Sequence, residues 1–230
     1  MPQRDGAVGR MASFLRRLEQ RRLPVHVTPV TRSMVETISS KLAWPQGMVF
    51  RQPLKPQMTN TVLGLMGDKG ASFEPLLRNT ANPTVIRAGE QINVAPSKVE
   101  VDLDGRLLPG YSPEYLISEL VVISRGELEL EVIRHDPGPW EPDMALFETL
   151  KDILCSVDSD GEPVPTLLPG ATDARFFSRL GIQTYGYLPM RLPPDLEFSR
   201  LIHGPDERIP VDAITFGTEA IFQLMHRFGQ

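Results

Sequence analysis

Prolines punctuate this chain at about twice the usual density, with 22 among 230 residues, against about 5% in an average protein. Each one fixes φ and removes a backbone donor, so helices and central strands tend to end near it. They scatter without a repeat and read as turn and loop punctuation, not as a polyproline tract. The chain must fold from many short elements. A membrane-crossing helix is not among them, because no run approaches the roughly 18 apolar residues it needs. With 41% apolar and 23% charged residues, the composition suits a globular core and not a disordered or fibrous chain. A net charge of −5 provides no global attraction for nucleic acid or an anionic membrane. The basic start, Met1 to Arg22, has no apolar stretch of the signal-peptide kind. The single cysteine, Cys155, excludes an internal disulfide and a thiolate metal cluster. A reducing, cytoplasmic setting is expected.

Helical spacing comes first. Val8, Met11, Ala12, Leu15, Leu18 and Leu23 recur every three or four residues. Asp5 stands where an N-cap would, Arg21 and Arg22 suit the C-terminal end of the dipole, and Pro24 stops the helix. A second helix is predicted over Ser33–Leu42 through Met34, Ile38 and Leu42. Residues 44–77 are weakly patterned, and one short helix near Asn60–Met66 is expected there, with loop around it.

From Pro83 the pattern changes. PTVIRAG is β-rich and ends at Gly89. Lys98–Leu108 alternates, with Val99, Val101 and Leu103 set apart from Glu100, Asp102 and Asp104, as in a half-buried strand. Ser112 is placed to cap a helix through Tyr115, Leu116 and Leu120. Leu128–Ile133 alternates again. One helix, two strands, a helix and a further strand predict a compact α+β layer. HDPGPWEPD then reads as a linker, and a break is placed near residue 137. Beyond it, helices are expected over Met144–Cys155, over DARFFSRLG up to Gly181, and over Val211–Phe228, with a strand at IQTYGYLP. No internal repeat is visible.

Three clusters carry chemical interest. His203 lies in LIHGPDERIP beside Asp206 and Glu207. Carboxylates near an imidazole are how a neutral metal ligand is oriented, yet one histidine cannot hold zinc, which wants three or four ligands. A capping loop before the last helix is the simpler reading. In LPGATDARFF, Gly170 permits a close backbone approach, Thr172 or Asp173 can cap the following helix, and Arg175 lies in its first turn. A cation at the positive end of a helix dipole suggests an anionic partner, either a substrate carboxylate or a local acid. In QINVAPSKVEVDLDGRLLPG, Asn93 offers an amide and Arg106 a planar cation. Asp104 shares a strand face with Arg106, so a structural ion pair is equally open. His26 and His135 read as structural, and GLMGDKG is not a P-loop.

Taken in order, these segments resemble one family. NTANPTVIRAGEQINVAPSKVEVDLDGRLLPG is similar to the lid domain of the di-zinc aminoacylase, acetylornithine deacetylase, succinyl-diaminopimelate desuccinylase and glutamate carboxypeptidase family. LPGATDARFFSRLGIQTYGYLP and HGPDERIPVDAITFG resemble the C-terminal part of its catalytic domain. MPQRDGAVGRMASFL resembles the start of the lid helix. An unrelated α+β binding protein would need all three ordered motifs to be coincidence.

The resemblance implies an α+β lid/dimerisation domain, a four-stranded antiparallel sheet with two helices on one face, over residues 1–136, with a proline-rich insertion at 43–78. An incomplete α/β catalytic domain over residues 137–230 follows. It implies a zinc-dependent amide hydrolase whose water is activated by two zinc ions and a glutamate base. It maps His203 onto a metal ligand and Arg175 onto the group gripping the substrate carboxylate, with Gly170 and Thr172 in the supporting loop. Asn93 and Arg106 map onto lid residues that contact substrate or its oxyanion, often across a homodimer. The substrate expected is a peptide or N-acyl amino acid with a free carboxylate. The family's His-x-Asp pair, bridging aspartate and Glu-Glu base motif have no counterpart in these 230 residues. The expectation is therefore of a C-terminal portion, inactive alone, that binds zinc weakly and partners the missing half of the catalytic domain. A non-catalytic dimerisation module derived from the same family is the alternative.

Overall fold

The computed structural model of the chain describes residues 6–138 and 141–228. Asp5, expected as a helix cap, lies outside them. In chain order the elements are α1 (Ala7–Gln20), α2 (Pro29–Lys41), α3 (Gln46–Phe50), α4 (Pro56–Leu65), α5 (Asp68–Phe73), β1 (Thr80–Ala88) and β2 (Val99–Arg106). Then come α6 (Pro113–Ser124), α7 (Phe147–Val157), α8 (Ala174–Ser178), α9 (Phe198–Leu201) and α10 (Val211–Arg227). They fall into two compact units, one of Met1–Pro142 with Thr166–Ile182, the other of Asp143–Pro165 with Gln183–Gln230.

In the first unit, β1 and β2 form an antiparallel hairpin running from Thr80↔Arg106 to Ala88↔Val99, with an irregularity between Pro83 and Val85. α1 and α6 pack together over it. Their cluster buries Met11, Phe14, Leu23, Leu116, Leu120 and Ile123, against which Val99, Val101 and Leu103 of β2 also pack. The alternation of β2 thus faces its apolar residues inward, as expected. On α1, Phe14 is buried while Val8 lies exposed on the other side.

α2 begins four residues before the expected Ser33. Thr28 is its N-cap, its hydroxyl accepting from the Thr31 backbone N–H at 3.1 Å, and Pro29 occupies the first turn. The Thr31 hydroxyl donates to the Leu76 carbonyl at 2.8 Å. The stretch expected as one helix in loop holds α3, α4 and α5 and two 3-10 turns. The physical reason is the position of its prolines. Pro53 and Pro56 sit at the start of helical turns, where the missing N–H costs nothing.

The four-stranded antiparallel sheet is overturned. Among the described residues the sheet has two strands. Leu128 and Leu130 still pack against the α1–α6 cluster, so their alternation is met by side chains, but no neighbouring strand pairs with Leu128–Ile133. The α/β expectation for the C-terminal part fails likewise, because Ile182–Pro189 forms no ladder. Period two specifies which side chains face inward; a ladder needs a partner edge as well.

The second unit is helical among its described residues. α7 packs against α10, burying Leu150 and Ile153 of α7 and Ala213 and Ala220 of α10. The Ser156 hydroxyl donates to Gln223 Oε1 at 2.9 Å.

Candidate functional site

Five of the six predicted site residues lie in the first unit and one in the second. Asn93 is exposed in the turn joining the two strands. Arg106 is paired with Thr80 at the far end of the hairpin. The strand rise sets the two roughly 20 Å apart, so the hairpin does not bring them together.

Arg106 instead reaches the other motif. Its Nη1 donates to the Pro169 carbonyl at 2.6 Å, and its Nε donates to Asp104 Oδ2 at 3.1 Å. The structural alternative for Arg106, an ion pair with Asp104, is thus realised, and its second contact is with the backbone of another loop. The loop it holds runs through Gly170 and Thr172 into α8. Thr172 Oγ1 accepts from the Ala174 N–H at 3.3 Å, and the Thr172 carbonyl accepts from the Arg175 N–H at 3.3 Å. A Cβ at Gly170 would meet nothing within 4 Å, so no close approach within the chain explains that glycine.

Arg175 sits in a cluster of cations. Asp136 Oδ2 accepts from Arg134 Nη2 at 2.8 Å and lies 3.8 Å from Arg175 Nη1. Asp136 Oδ1 is ion-paired with Arg179. The Arg175 guanidinium stacks 4.7 Å from the centre of the Phe176 ring, with Arg179 5.8 Å from the same centre. The Arg175 Nε–H is buried without a hydrogen-bond partner. Three guanidiniums therefore share one carboxylate. The dipole argument for Arg175 lapses, since α8 has only five residues and a single turn has little macrodipole. The local acid does exist, but it only partly balances the charge around it.

His203, in the second unit, follows α9 in a left-handed conformation with φ 59°. It is exposed. Asp206, one of the two carboxylates close to it in sequence, is ion-paired with Arg208. Among the described residues, no three His, Cys, Asp or Glu side chains gather as a metal ion requires. These residues do not by themselves fit a zinc site.

One polar network escaped the sequence reading. His26 Nε2 lies 2.5 Å from Glu119 Oε1, with both side chains largely buried. Tyr111 stacks on the imidazole with ring centres 4.3 Å apart. Asn79 donates to Glu119 Oε2 at 3.4 Å and accepts from the Leu108 N–H at 3.0 Å. Burial, reinforced by the Glu119 carboxylate and by Tyr115, holds the Tyr111 phenol above its ordinary pKa. His26 and Glu119 are 93 positions apart, so no local spacing announces them. Glu119 also lines a cleft of about 660 Å3 with Arg21, Arg22 and Asn60, and none of the six predicted residues borders it.

The profile of peptidase family M20/M25/M40 matches residues 12–227. The N-fatty-acyl-amino acid synthase/hydrolase PM20D1 of Homo sapiens is 26% identical over 97% of this chain and 45% of its own length. Its Xenopus tropicalis counterpart is 27% identical over 98% of the chain and 44% of its length. The probable carboxypeptidase S-like 2 of Dictyostelium discoideum is 24% identical over 92% and 40% respectively. The chain spans less than half the length of these relatives. No solved structure gives a significant match.

Proposed function

The chain belongs to peptidase family M20/M25/M40, and on that premise we propose that it is the lid-bearing, carboxylate-binding portion of a zinc-dependent amide hydrolase. The substrate is a peptide or an N-acyl amino acid with a free carboxylate. Relatives described as an N-fatty-acyl-amino acid synthase/hydrolase and a probable carboxypeptidase S-like protein support that class. The single observation that carries the reading is the excess positive charge around Arg175. A guanidinium with an unpartnered N–H beside two others is suited to receive a carboxylate.

In this reading Arg175 grips the substrate carboxylate and Gly170 and Thr172 shape the loop that presents it. Arg106 braces that loop through the Pro169 carbonyl and, with Asn93, faces substrate or its oxyanion. His203 would supply one of the several ligands that a zinc site needs, the others coming from outside these residues. Residues 1–136 form the lid and dimerisation domain, and the homodimer uses the hairpin, where Val85 and Ile86 stand exposed. One ligand and no Glu-Glu base leave this chain inactive alone. The non-catalytic module is favoured in its place only by the lack of a metal cluster among the described residues.

The test is release of free amino acid from an N-acyl amino acid in the presence of zinc. The chain alone should release none. Adding the separately expressed N-terminal half of a family relative, with its His-x-Asp and Glu-Glu motifs, should give turnover. Turnover by the chain alone would contradict the partial-site reading, and none from the mixture would favour the non-catalytic module.

A further inference from the structure

Asp136 has no role in the reading above, yet three arginines face it. Among the described residues it is the only carboxylate ion-paired with Arg134, Arg175 and Arg179. Three cations around one anion repel one another unless a counter-charge is present, and an exposed pair in water compensates little. This carboxylate is only 18% exposed, so its contacts are less screened than those of a surface pair.

The contacts are unequal. Arg134 donates to Oδ2 at 2.8 Å and Arg179 is ion-paired with Oδ1 without a hydrogen bond of good geometry, while Arg175 stands 3.8 Å away. That last distance is beyond a hydrogen bond. Arg175 is thus the least satisfied of the three, and its Nε–H has no acceptor. Asp136 itself lies outside any helix or strand, so no ladder or helical bond holds its backbone in place.

We propose that Asp136 is a built-in surrogate for the substrate carboxylate. It neutralises the three-arginine site when no ligand is present, and the incoming carboxylate displaces it, contacting Arg175 first. The inference rests on the reading of the cluster as a carboxylate site, and it adds that affinity is set by competition with a side chain of the same chemistry. Asp136 is therefore a specificity-determining residue. It weakens binding of carboxylates most, because they compete with it for the same guanidiniums, and neutral ligands much less.

The test compares the full chain with Asp136→Asn and Asp136→Ala. Titration with N-acetyl-leucine and with its carboxamide reads the competition, and the melting temperature in rising acetate reads the vacated site. Asp136→Asn should bind N-acetyl-leucine about five- to tenfold more tightly than the unmodified chain, the size of one to two weak ion pairs. The carboxamide should gain much less. Asp136→Ala should melt lower, and acetate at constant ionic strength should raise its melting temperature saturably, while the unmodified chain responds only at several-fold higher acetate. Weaker or unchanged binding of N-acetyl-leucine by a folded Asp136→Asn would overturn the surrogate role. Loss of folding in both variants that acetate fails to restore would overturn it too. If neither protein distinguishes N-acetyl-leucine from its carboxamide although acetate stabilises Asp136→Ala, the proposed substrate class falls and the surrogate role stands.

Discussion

His26 Nε2 and Glu119 Oε1 meet at 2.5 Å across 93 residues of sequence, tying the segment that follows α1 to the middle of α6. Glu119 is 8% exposed and also accepts from Asn79, so the carboxylate is held from two sides. Charged hydrogen bonds of this kind contribute about 1.5–3 kcal/mol each. Glu119→Gln keeps the shape and loses the charge, and it should cost about 1–2 kcal/mol. Urea unfolding followed by circular dichroism measures it. A double mutant with His26→Gln should lose less than the sum of the two single changes.

Two glycines of the helical insertion should respond in opposite directions. A Cβ at Gly70 would lie 2.1 Å from the Leu63 carbonyl oxygen, so α5 could not keep its place against α4. Gly70→Ala should destabilise by about 2 kcal/mol or more, as overpacking does. Gly64, inside α4, has open space around it, and Gly64→Ala should stabilise by up to about 1 kcal/mol through helix propensity. Thermal melts of the two variants separate the effects.

Arg87 and Asp102 form a bidentate pair across the hairpin, with Nη1–Oδ1 at 3.0 Å and Nη2–Oδ2 at 2.9 Å. The hydrogen bond and charge of Arg87 hold the Asp102 carboxyl below its ordinary pKa. A depressed folded-state value means the pair stabilises the hairpin above the unfolded carboxylate's pKa, near 4. That contribution is lost as pH falls through the lower folded value. A carboxyl-carbon NMR titration of Asp102 should show the depressed midpoint, and Arg87→Gln should return it toward the ordinary value.

Arg106 ties β2 to the loop before α8 by donating to the Pro169 carbonyl. Arg106→Gln should release that loop at a cost of about 1 kcal/mol. Amide exchange over residues 168–175 should quicken while exchange in α1 and α6 stays unchanged. Equal protection in both proteins would mean that the contact does not brace the loop.

Much of the architecture could be read from side-chain periodicity. The spacing of Met11, Leu15 and Leu18 announces α1, and Val99, Val101 and Leu103 announce β2, because burial follows the period of the element directly. The signal failed where burial and pairing part company. Leu128 and Leu130 alternate and pack inward, yet no strand edge meets them. Prolines misled in the insertion, since Pro53 and Pro56 start turns there. Of the candidate site, the loop from Gly170 to Arg175 was legible as a motif and its contact with Arg106 was not. Asp136 lay hidden in a segment read as linker, 39 residues before Arg175, and only the fold brings the two together. His203 was singled out by its motif, and of the two carboxylates near it in sequence Asp206 pairs with Arg208.

Carboxylate recognition by Arg175 and its neighbours is the central claim about this site. The most direct measurement is calorimetric titration of the chain and of Arg175→Met with N-acetyl-leucine and N-acetyl-leucinamide. The chain should bind the carboxylate about tenfold more tightly than the amide, and Arg175→Met should lose that preference, as removal of a charge-assisted bond implies. Equal binding of the two ligands by the unmodified chain, or an undiminished preference in Arg175→Met, would contradict it.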